Sequence, residues 1–159
     1  MTNDTAQGPL TGLTPHLTIH EGRGEEAIAF YQAAFGAELA MPPMRASGMP
    51  GCDGMPDMSG DTRIMHAHLR LNGVSLMLND AFPEFAETGR HSQPGAPSPV
   101  TLHLQVDDAD RWAERAVAAG ATVTMPVDLA FWGDRYGQLR DPFGHSWSIG
   151  STPAGDRNA

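Results

Sequence analysis

The 159-residue sequence contains no lysine, and its ten basic residues are all arginine. Against 19 carboxylates they leave a net charge of −9, which repels nucleic-acid phosphates and anionic membrane surfaces. The arginines are also scattered along the chain, whereas a nucleic-acid-binding protein needs a concentrated basic face. We therefore expect neither nucleic acid nor a membrane among the partners of this protein.

Cysteine occurs once, as Cys52, which excludes an internal disulfide and a cysteine-rich zinc site. No run approaches the roughly 18 apolar residues of a membrane-spanning helix. The first ten residues lack the basic and apolar regions of a signal peptide. Hydrophobic residues nonetheless form 40% of the chain, enough to bury a sizeable core. These features predict a soluble, cytoplasmic protein.

The first half of the chain predicts a strand, a helix and three further strands. Alternation of polar and apolar residues indicates the strands, and Ile28, Tyr31 and Phe35 form one helical stripe. Asn72-Gly73 is typical of a tight hairpin turn between two strands. The predicted elements are a strand at 15–20, a helix at 25–36, a short strand at 37–40, and two strands at 62–71 and 74–80.

The second half repeats this plan. Gly36 and Gly120 are 84 residues apart at the predicted helix ends, and Gly73 and Gly144 are 71 apart at the turns. Asp107 or Asp108 is a candidate N-cap of the second helix. We therefore predict an α+β fold of tandem βαβββ repeats. The first repeat covers 12–80, a connector covers 81–99, and the second repeat covers 100–151.

Several motifs carry a family resemblance in their order along residues 12–151. They include Pro15-His-Leu-Thr-Ile19, Met65-His-Ala-His-Leu69, Phe131-Trp-Gly-Asp-Arg-Tyr-Gly137 and Asp141-Pro-Phe-Gly-His-Ser-Trp147. The chain resembles the vicinal-oxygen-chelate superfamily, which includes glyoxalase I, extradiol dioxygenases and bleomycin-resistance proteins, and within it the PhnB-like group. The resemblance implies curved mixed sheets around a ligand cleft, and a homodimer.

The resemblance also implies where a metal would bind in metal-using members. Each repeat supplies two ligands, one on its first strand and one on its last strand. The matching positions are His16, Met77, Thr101 and Ser148. Of these, His16 alone is a good ligand for zinc, nickel or iron, because thioether and hydroxyl groups bind such ions poorly. We therefore do not expect a four-ligand metal site at these positions.

Strand alternation predicts which other side chains line the cleft. A divalent metal held by His16, His66 and His68 is one interpretation of the histidines, and a polar, hydrogen-bonded sheet face is the other. Arg135 either pairs with Asp134 or holds an anionic ligand. The predicted cleft residues are His16, His66, His68, Met77, Thr101, His103, Gln105, Phe131, Trp132, Arg135 and Ser148.

Two functional hypotheses follow. The first is a protein that binds a small molecule of unknown identity without chemistry, and the second is a metal-dependent enzyme with a non-standard histidine set. No nucleotide cofactor is expected. Gly22-Arg-Gly24-Glu-Glu-Ala27 fits a dinucleotide fingerprint, but Glu25 and Glu26 would repel a pyrophosphate. The methionine-rich segment 41–61 is either a lid over an apolar ligand or a disordered insertion.

Overall fold

The computed structural model describes residues 12–48, 56–84 and 98–154. Cys52, most of the connector and part of the methionine-rich segment lie outside the described residues, and so do the predictions made for them. The chain divides into two compact units. One comprises Met1–Ala29 with Ala37–Ser92, and the other comprises Phe30–Gly36 with Gln93–Ala159.

The first repeat contains one helix and five strands. The elements are β1 (His16–Ile19), α1 (Gly24–Phe35), β2 (Glu38–Leu39), β3 (Met44–Arg45), a 3₁₀ turn (Ala46–Gly48), β4 (Ile64–Leu71) and β5 (Val74–Asp80). The strands form a sheet of order β1-β5-β4-β2, in which β3 also pairs with β4. Strand β1 runs parallel to β5, and the other pairs are antiparallel.

The hairpin between β4 and β5 confirms the turn expected at Asn72-Gly73. Both residues have positive φ, 49° and 81° respectively, as a type I′ turn requires. At the far end of β5, the buried carboxylate of Asp80 accepts hydrogen bonds of 2.7 Å from the backbone N–H groups of Gly24 and Ile64. Asp80 therefore joins the start of α1 to the start of β4. Its carboxylate also occupies the N–H of Gly24, to which a phosphate bound at the dinucleotide fingerprint would have to hydrogen-bond.

The second repeat contains one helix and four strands. The elements are β6 (Thr101–Gln105), α2 (Ala109–Ala119), β7 (Thr122–Leu129), β8 (Arg135–Arg140) and β9 (Ser146–Ser151). The strands form a sheet of order β6-β9-β8-β7, with β6 parallel to β9. Of the two candidate caps, Asp108 caps the helix, because its side chain accepts a hydrogen bond from the backbone N–H of Arg111.

A buried carboxylate organises the core of the second unit. Asp141 accepts hydrogen bonds from the Tyr31 hydroxyl at 2.6 Å and from the Trp147 indole N–H at 2.9 Å. Burial acts to raise the pKa of Asp141, but neighbouring His145 and these donors outweigh it, and the pKa lies below its usual range. Burial, followed by the nearby Asp141 charge, raises the pKa of Tyr31. The last residues of α1 thus belong to this core.

The structure confirms the α+β fold of two mixed sheets with one helix in each repeat. Trp147 is buried, whereas Trp112 is half-buried and stacks on Phe35 with ring centroids 6.3 Å apart. Neither described helix is long and apolar enough to cross a membrane.

Candidate functional site

The second sheet has an apolar face and a polar face. Leu139, Trp147 and Ile149 are buried on the apolar face, and helix α2 packs against β7, β8 and β9. Residues paired across neighbouring strands project to the same side of a sheet. The polar face of the second sheet therefore consists of three cross-strand rows, Thr101–Ser146–Arg140, His103–Ser148–Gln138 and Gln105–Gly150–Tyr136.

His103 is hydrogen-bonded on both ring nitrogens within this polar face. Its Nε2 lies 2.9 Å from the side-chain oxygen of Gln105, and its Nδ1 lies 2.8 Å from the Ser148 hydroxyl. In this orientation of the Gln105 amide the oxygen faces Nε2 and can only accept, so Nε2 carries the proton and Nδ1 of the neutral ring accepts from Ser148. The Gln105 amide N–H in turn donates to the Thr152 hydroxyl. The ring is therefore held in one tautomer and one orientation.

Glycine at position 150 makes room for this arrangement. A Cβ atom at Gly150 would lie 2.9 Å from the side-chain oxygen of Gln105 and 3.1 Å from Cε1 of His103. A larger residue there would push apart the two side chains that are hydrogen-bonded above the glycine. The close packing shows that the middle of the polar face is built around the His103–Gln105 pair.

Aromatic rings flank one end of the polar face. The rings of Trp132 and Tyr136 meet edge to face at 5.3 Å, and Phe131 meets Trp132 at 4.9 Å. Tyr136 also stacks on His103 at 6.1 Å, with 21° between the rings. Phe131 is 98% exposed and Trp132 is 53% exposed. Large apolar rings left in solvent beside polar groups are typical of a ligand-binding surface.

Two residues of this surface, Tyr136 and Gln138, are absent from the predicted cleft set. The Gln138 amide donates to the Tyr136 hydroxyl at 3.1 Å, and both side chains are half-buried. Their sequence signal is the spacing of two residues within β8, which places both side chains on one face. That signal identifies the polar face only when the pairing of β8 with β9 is known.

Arg135 pairs with Asp110 and not with Asp134. Its guanidinium donates to both carboxylate oxygens of Asp110 on α2, at 2.6 and 2.8 Å. Asp110 lies on the side of the sheet that α2 covers. Because side chains alternate along β8, Arg135 projects from the face opposite to the one that carries Tyr136 and Gln138. Arg135 therefore joins β8 to α2 and is not part of the polar face.

The strand register changes one correspondence between the repeats. In the first sheet, His16 pairs with Met77 across β1 and β5. In the second sheet, the residue paired with Ser148 is His103, whereas Thr101 pairs with Ser146. The register of β6 on β9 is thus shifted by two residues from the register of β1 on β5, if Ser148 is taken as the equivalent of Met77 and Thr101 as the equivalent of His16.

The first sheet also has a polar face, which carries three of the predicted cleft histidines. Its central row is His16–Met77–His68, in which His16 is exposed and His68 is completely buried. His68 Nε2 lies 2.9 Å from the Ser75 hydroxyl. The Nε2 atom of His68 is therefore hydrogen-bonded to a residue of the neighbouring strand β5, as expected of a buried imidazole.

His66 lies beside His16 on this face, with ring centroids 6.2 Å apart. Partial burial, followed by the positive charges that His16 and His68 would carry, lowers the pKa of His66. The His66 ring is consequently neutral near physiological pH and retains a lone pair that can accept a proton or bind a metal.

The family model described as Glyoxalase/Bleomycin resistance protein/Dioxygenase superfamily matches residues 14–149. The chain is 41% identical over 140 residues to the uncharacterized protein Rv0887c of Mycobacterium tuberculosis, covering 87% of this chain and 72% of that protein.

Solved structures agree with this assignment. The structure is similar to protein PA1353 from Pseudomonas aeruginosa, with a TM-score of 0.68, 25% identity, and 90% of this chain and 98% of that chain covered. It shares its fold with the PhnB protein from Bacillus cereus, with a TM-score of 0.62, 21% identity, and coverage of 88% and 98%. The protein therefore belongs to the glyoxalase/bleomycin resistance/dioxygenase superfamily and has PhnB-like structural neighbours.

Proposed function

We propose that this protein binds a small organic molecule on the polar face of the second sheet, without a metal ion. The observation that carries the proposal is the exposed aromatic group of Phe131 and Trp132 beside the hydrogen-bonded row His103–Ser148–Gln138. Apolar walls with a few fixed polar groups are the usual composition of a small-molecule site. The first-sheet residues His16, His66, His68 and Met77 remain proposed contributors to the cleft.

The donor groups do not fit the metal site that the family resemblance implies. Met77 offers a thioether, and Thr101 and Ser148 offer hydroxyl groups, none of which suits zinc, nickel or iron. His103, which replaces Thr101 in the strand register, already uses both ring nitrogens in hydrogen bonds. Within the described residues, no three His, Cys, Asp or Glu side chains form a group that could hold a metal.

The second candidate function is a metal-dependent enzyme that uses His16 and His66. Their proximity at 6.2 Å and the lowered pKa of His66 favour it, because metal binding requires neutral imidazole. His68 supports it less, since the side chain is completely buried and its Nε2 is bound to Ser75. This function needs further ligands from outside the described histidine group.

A binding experiment on chelator-treated protein separates the two functions. A collection of planar aromatic compounds is screened by ligand-observed NMR against metal-free wild-type protein and against Trp132→Ala. We expect binding without metal and its loss in the variant. Leu13→Ala is the matched control, because Leu13 is 99% exposed and lies outside the strands. Binding that appears only after adding a divalent metal would instead support the enzyme.

We also propose that the protein is a cytoplasmic homodimer. The edge strand β7 supports self-association, since it exposes Val123, Met125 and Leu129 by 44%, 46% and 64%. Exposed apolar groups of this kind are typical of surfaces that become buried on association. The cytoplasmic location is supported by the single cysteine, which is consistent with a reducing compartment.

A further inference from the structure

We infer that the polar face of the second sheet recognises a planar heterocycle with an amide-type edge, a ring carbonyl adjacent to a ring N–H. This inference rests on the proposed small-molecule binding and specifies the class of ligand. Three residues carry it: Tyr136 and Gln138 supply the hydrogen-bonding groups, and Trp132 supplies the flat surface.

The hydrogen bond between Gln138 and Tyr136 leaves one donor and one acceptor side by side. The Gln138 amide N–H donates to the Tyr136 hydroxyl at 3.1 Å, so the hydroxyl hydrogen remains available to donate. The amide oxygen of Gln138 has no partner among the residues that the structure describes. With the amide turned over, the hydroxyl donates to Gln138 and the amide N–H becomes the available donor. Either orientation therefore presents the same complementary pair.

A lactam edge matches this pair. Its carbonyl oxygen accepts one hydrogen bond and its adjacent N–H donates another, both in the plane of the ring. A carboxylate offers acceptors alone, and an aromatic hydrocarbon offers neither group. Tyr136 and Gln138 are half-buried, so a ligand that covers them without forming hydrogen bonds removes their water and binds more weakly. A site of this kind therefore discriminates strongly against ligands that lack the carbonyl or the N–H.

The aromatic side chains position the ring of the ligand next to the polar pair. Trp132 meets Tyr136 at 71° and 5.3 Å and remains 53% exposed, so part of its indole surface is open beside the hydroxyl. On its other side, Tyr136 stacks on His103, which Ser148 and Gln105 hold in place. The hydroxyl is thus fixed before the ligand arrives, which reduces the entropic cost of binding.

The test compares 2-quinolone with N-methyl-2-quinolone, which has the same planar ring but lacks the N–H donor. Dissociation constants are measured by protein-observed NMR on wild-type protein and on Tyr136→Phe, Gln138→Met and Trp132→Ala. Gln32→Met is the matched control for Gln138→Met, since Gln32 is an exposed glutamine of α1. The Tyr136→Phe change retains the ring that packs on Trp132 and His103.

We expect wild-type protein to bind 2-quinolone at least tenfold more tightly than the N-methyl compound. The preference should fall to about one in the variant that removes the acceptor of the ligand N–H, which is Gln138→Met when the amide oxygen is that acceptor and Tyr136→Phe when the hydroxyl is. It should persist in Gln32→Met, and both compounds should bind more weakly to Trp132→Ala. Equal binding of the two compounds by wild-type protein, abolished by Trp132→Ala, would overturn the amide-edge inference and leave the proposed function standing. Failure of both compounds to bind would overturn the amide-edge inference alone, whereas binding unaffected by Trp132→Ala would overturn both.

Discussion

The imidazole of His103 and the hydroxyl of Ser148 are hydrogen-bonded across the parallel strands β6 and β9, with 2.8 Å between Nδ1 and Oγ. This contact couples the first and last strands of the second repeat on the polar face. It also leaves Nδ1 as an acceptor, since Nε2 donates to Gln105. Ser148 is one of the four positions that the family resemblance assigns to metal ligands, and here its hydroxyl is hydrogen-bonded to His103.

The hydrogen bonds of His103 predict a single neutral tautomer. At pH 8, the side-chain ¹⁵N chemical shifts of His103 should show a protonated Nε2 and an unprotonated Nδ1. Gln105→Met removes the acceptor for Nε2–H, and the two shifts should then move towards values averaged between tautomers. Observation of a protonated Nδ1 in wild-type protein would contradict the assigned network.

Gly150→Ala is expected to disrupt the centre of the polar face. The new methyl group would lie 2.9 Å from the side-chain oxygen of Gln105, so the His103–Gln105 hydrogen bond should break at a cost of about 1 kcal/mol. Urea unfolding measures this loss. Gly60→Ala is the control, because no atom lies within 4 Å of a Cβ built there. Equal stability of the two variants would show that the polar face tolerates a side chain at position 150.

The buried carboxylate of Asp141 predicts a pH-dependent contribution to stability. Burial raises the pKa of Asp141, but His145 and the donors Tyr31 and Trp147 lower it by a larger amount. The folded-state pKa therefore lies below that of the unfolded chain. The unfolded state therefore binds the proton first as the pH falls. The stabilisation is complete above the unfolded pKa of about 4 and is lost as the pH falls through the lower folded value.

Asp141→Asn measures this contribution. The variant should be destabilised by about 3 kcal/mol at pH 7, because Tyr31 and Trp147 lose a charged acceptor. The difference in free energy of unfolding between wild type and variant should shrink below about pH 4. Glu114→Gln is the control, since Glu114 is an exposed carboxylate of α2. A difference that stays constant from pH 7 to pH 3 would contradict the hydrogen-bonding scheme.

The histidines of the first sheet give a prediction about metal. Replacing His66 and His68 together by Asn preserves their polarity but removes most metal affinity. If the second sheet binds the ligand without metal, elemental analysis and ligand affinity should be unchanged in this double variant. Loss of a stoichiometric divalent metal together with ligand binding would favour the metal-dependent enzyme. Zinc or nickel lost on substituting Met77 or Ser148 would contradict our assessment of the family positions.

Light scattering tests the proposed homodimer. At micromolar concentration the measured mass should be about twice the 17.0 kDa of one chain. Leu129→Asp places a charge on the exposed edge strand β7 and should shift the equilibrium towards the monomer. A monomeric wild-type protein would overturn the dimer and leave the fold unaffected.

Short-range patterns in the sequence predict the elements of the fold. The hairpin at Asn72-Gly73 and the cap at Asp108 follow from residues adjacent in the chain, whose backbone preferences act locally. The duplication follows from equivalent residues at similar spacings in the two halves. Together with the motifs around Phe131 and Asp141, these features carry the family resemblance.

The side-chain partners within the site depend on contacts between segments that are distant in the sequence. The partner of Arg135 depends on how α2 packs on β8, and the residue opposite Ser148 depends on the register of two strands 45 residues apart. An alternating pattern assigns residues to the two faces of a strand, but it does not show which neighbour each residue meets. Tyr136 and Gln138 were missed for this reason.

A crystal structure of metal-free protein with its tightest-binding compound from the NMR screen tests the central claim most directly. We predict ligand density beside Trp132 and Tyr136, on the polar face of the second sheet, with the His103–Ser148 hydrogen bond intact. Density confined to the first sheet near His16 and His66, appearing only when a divalent metal is added, would contradict the account.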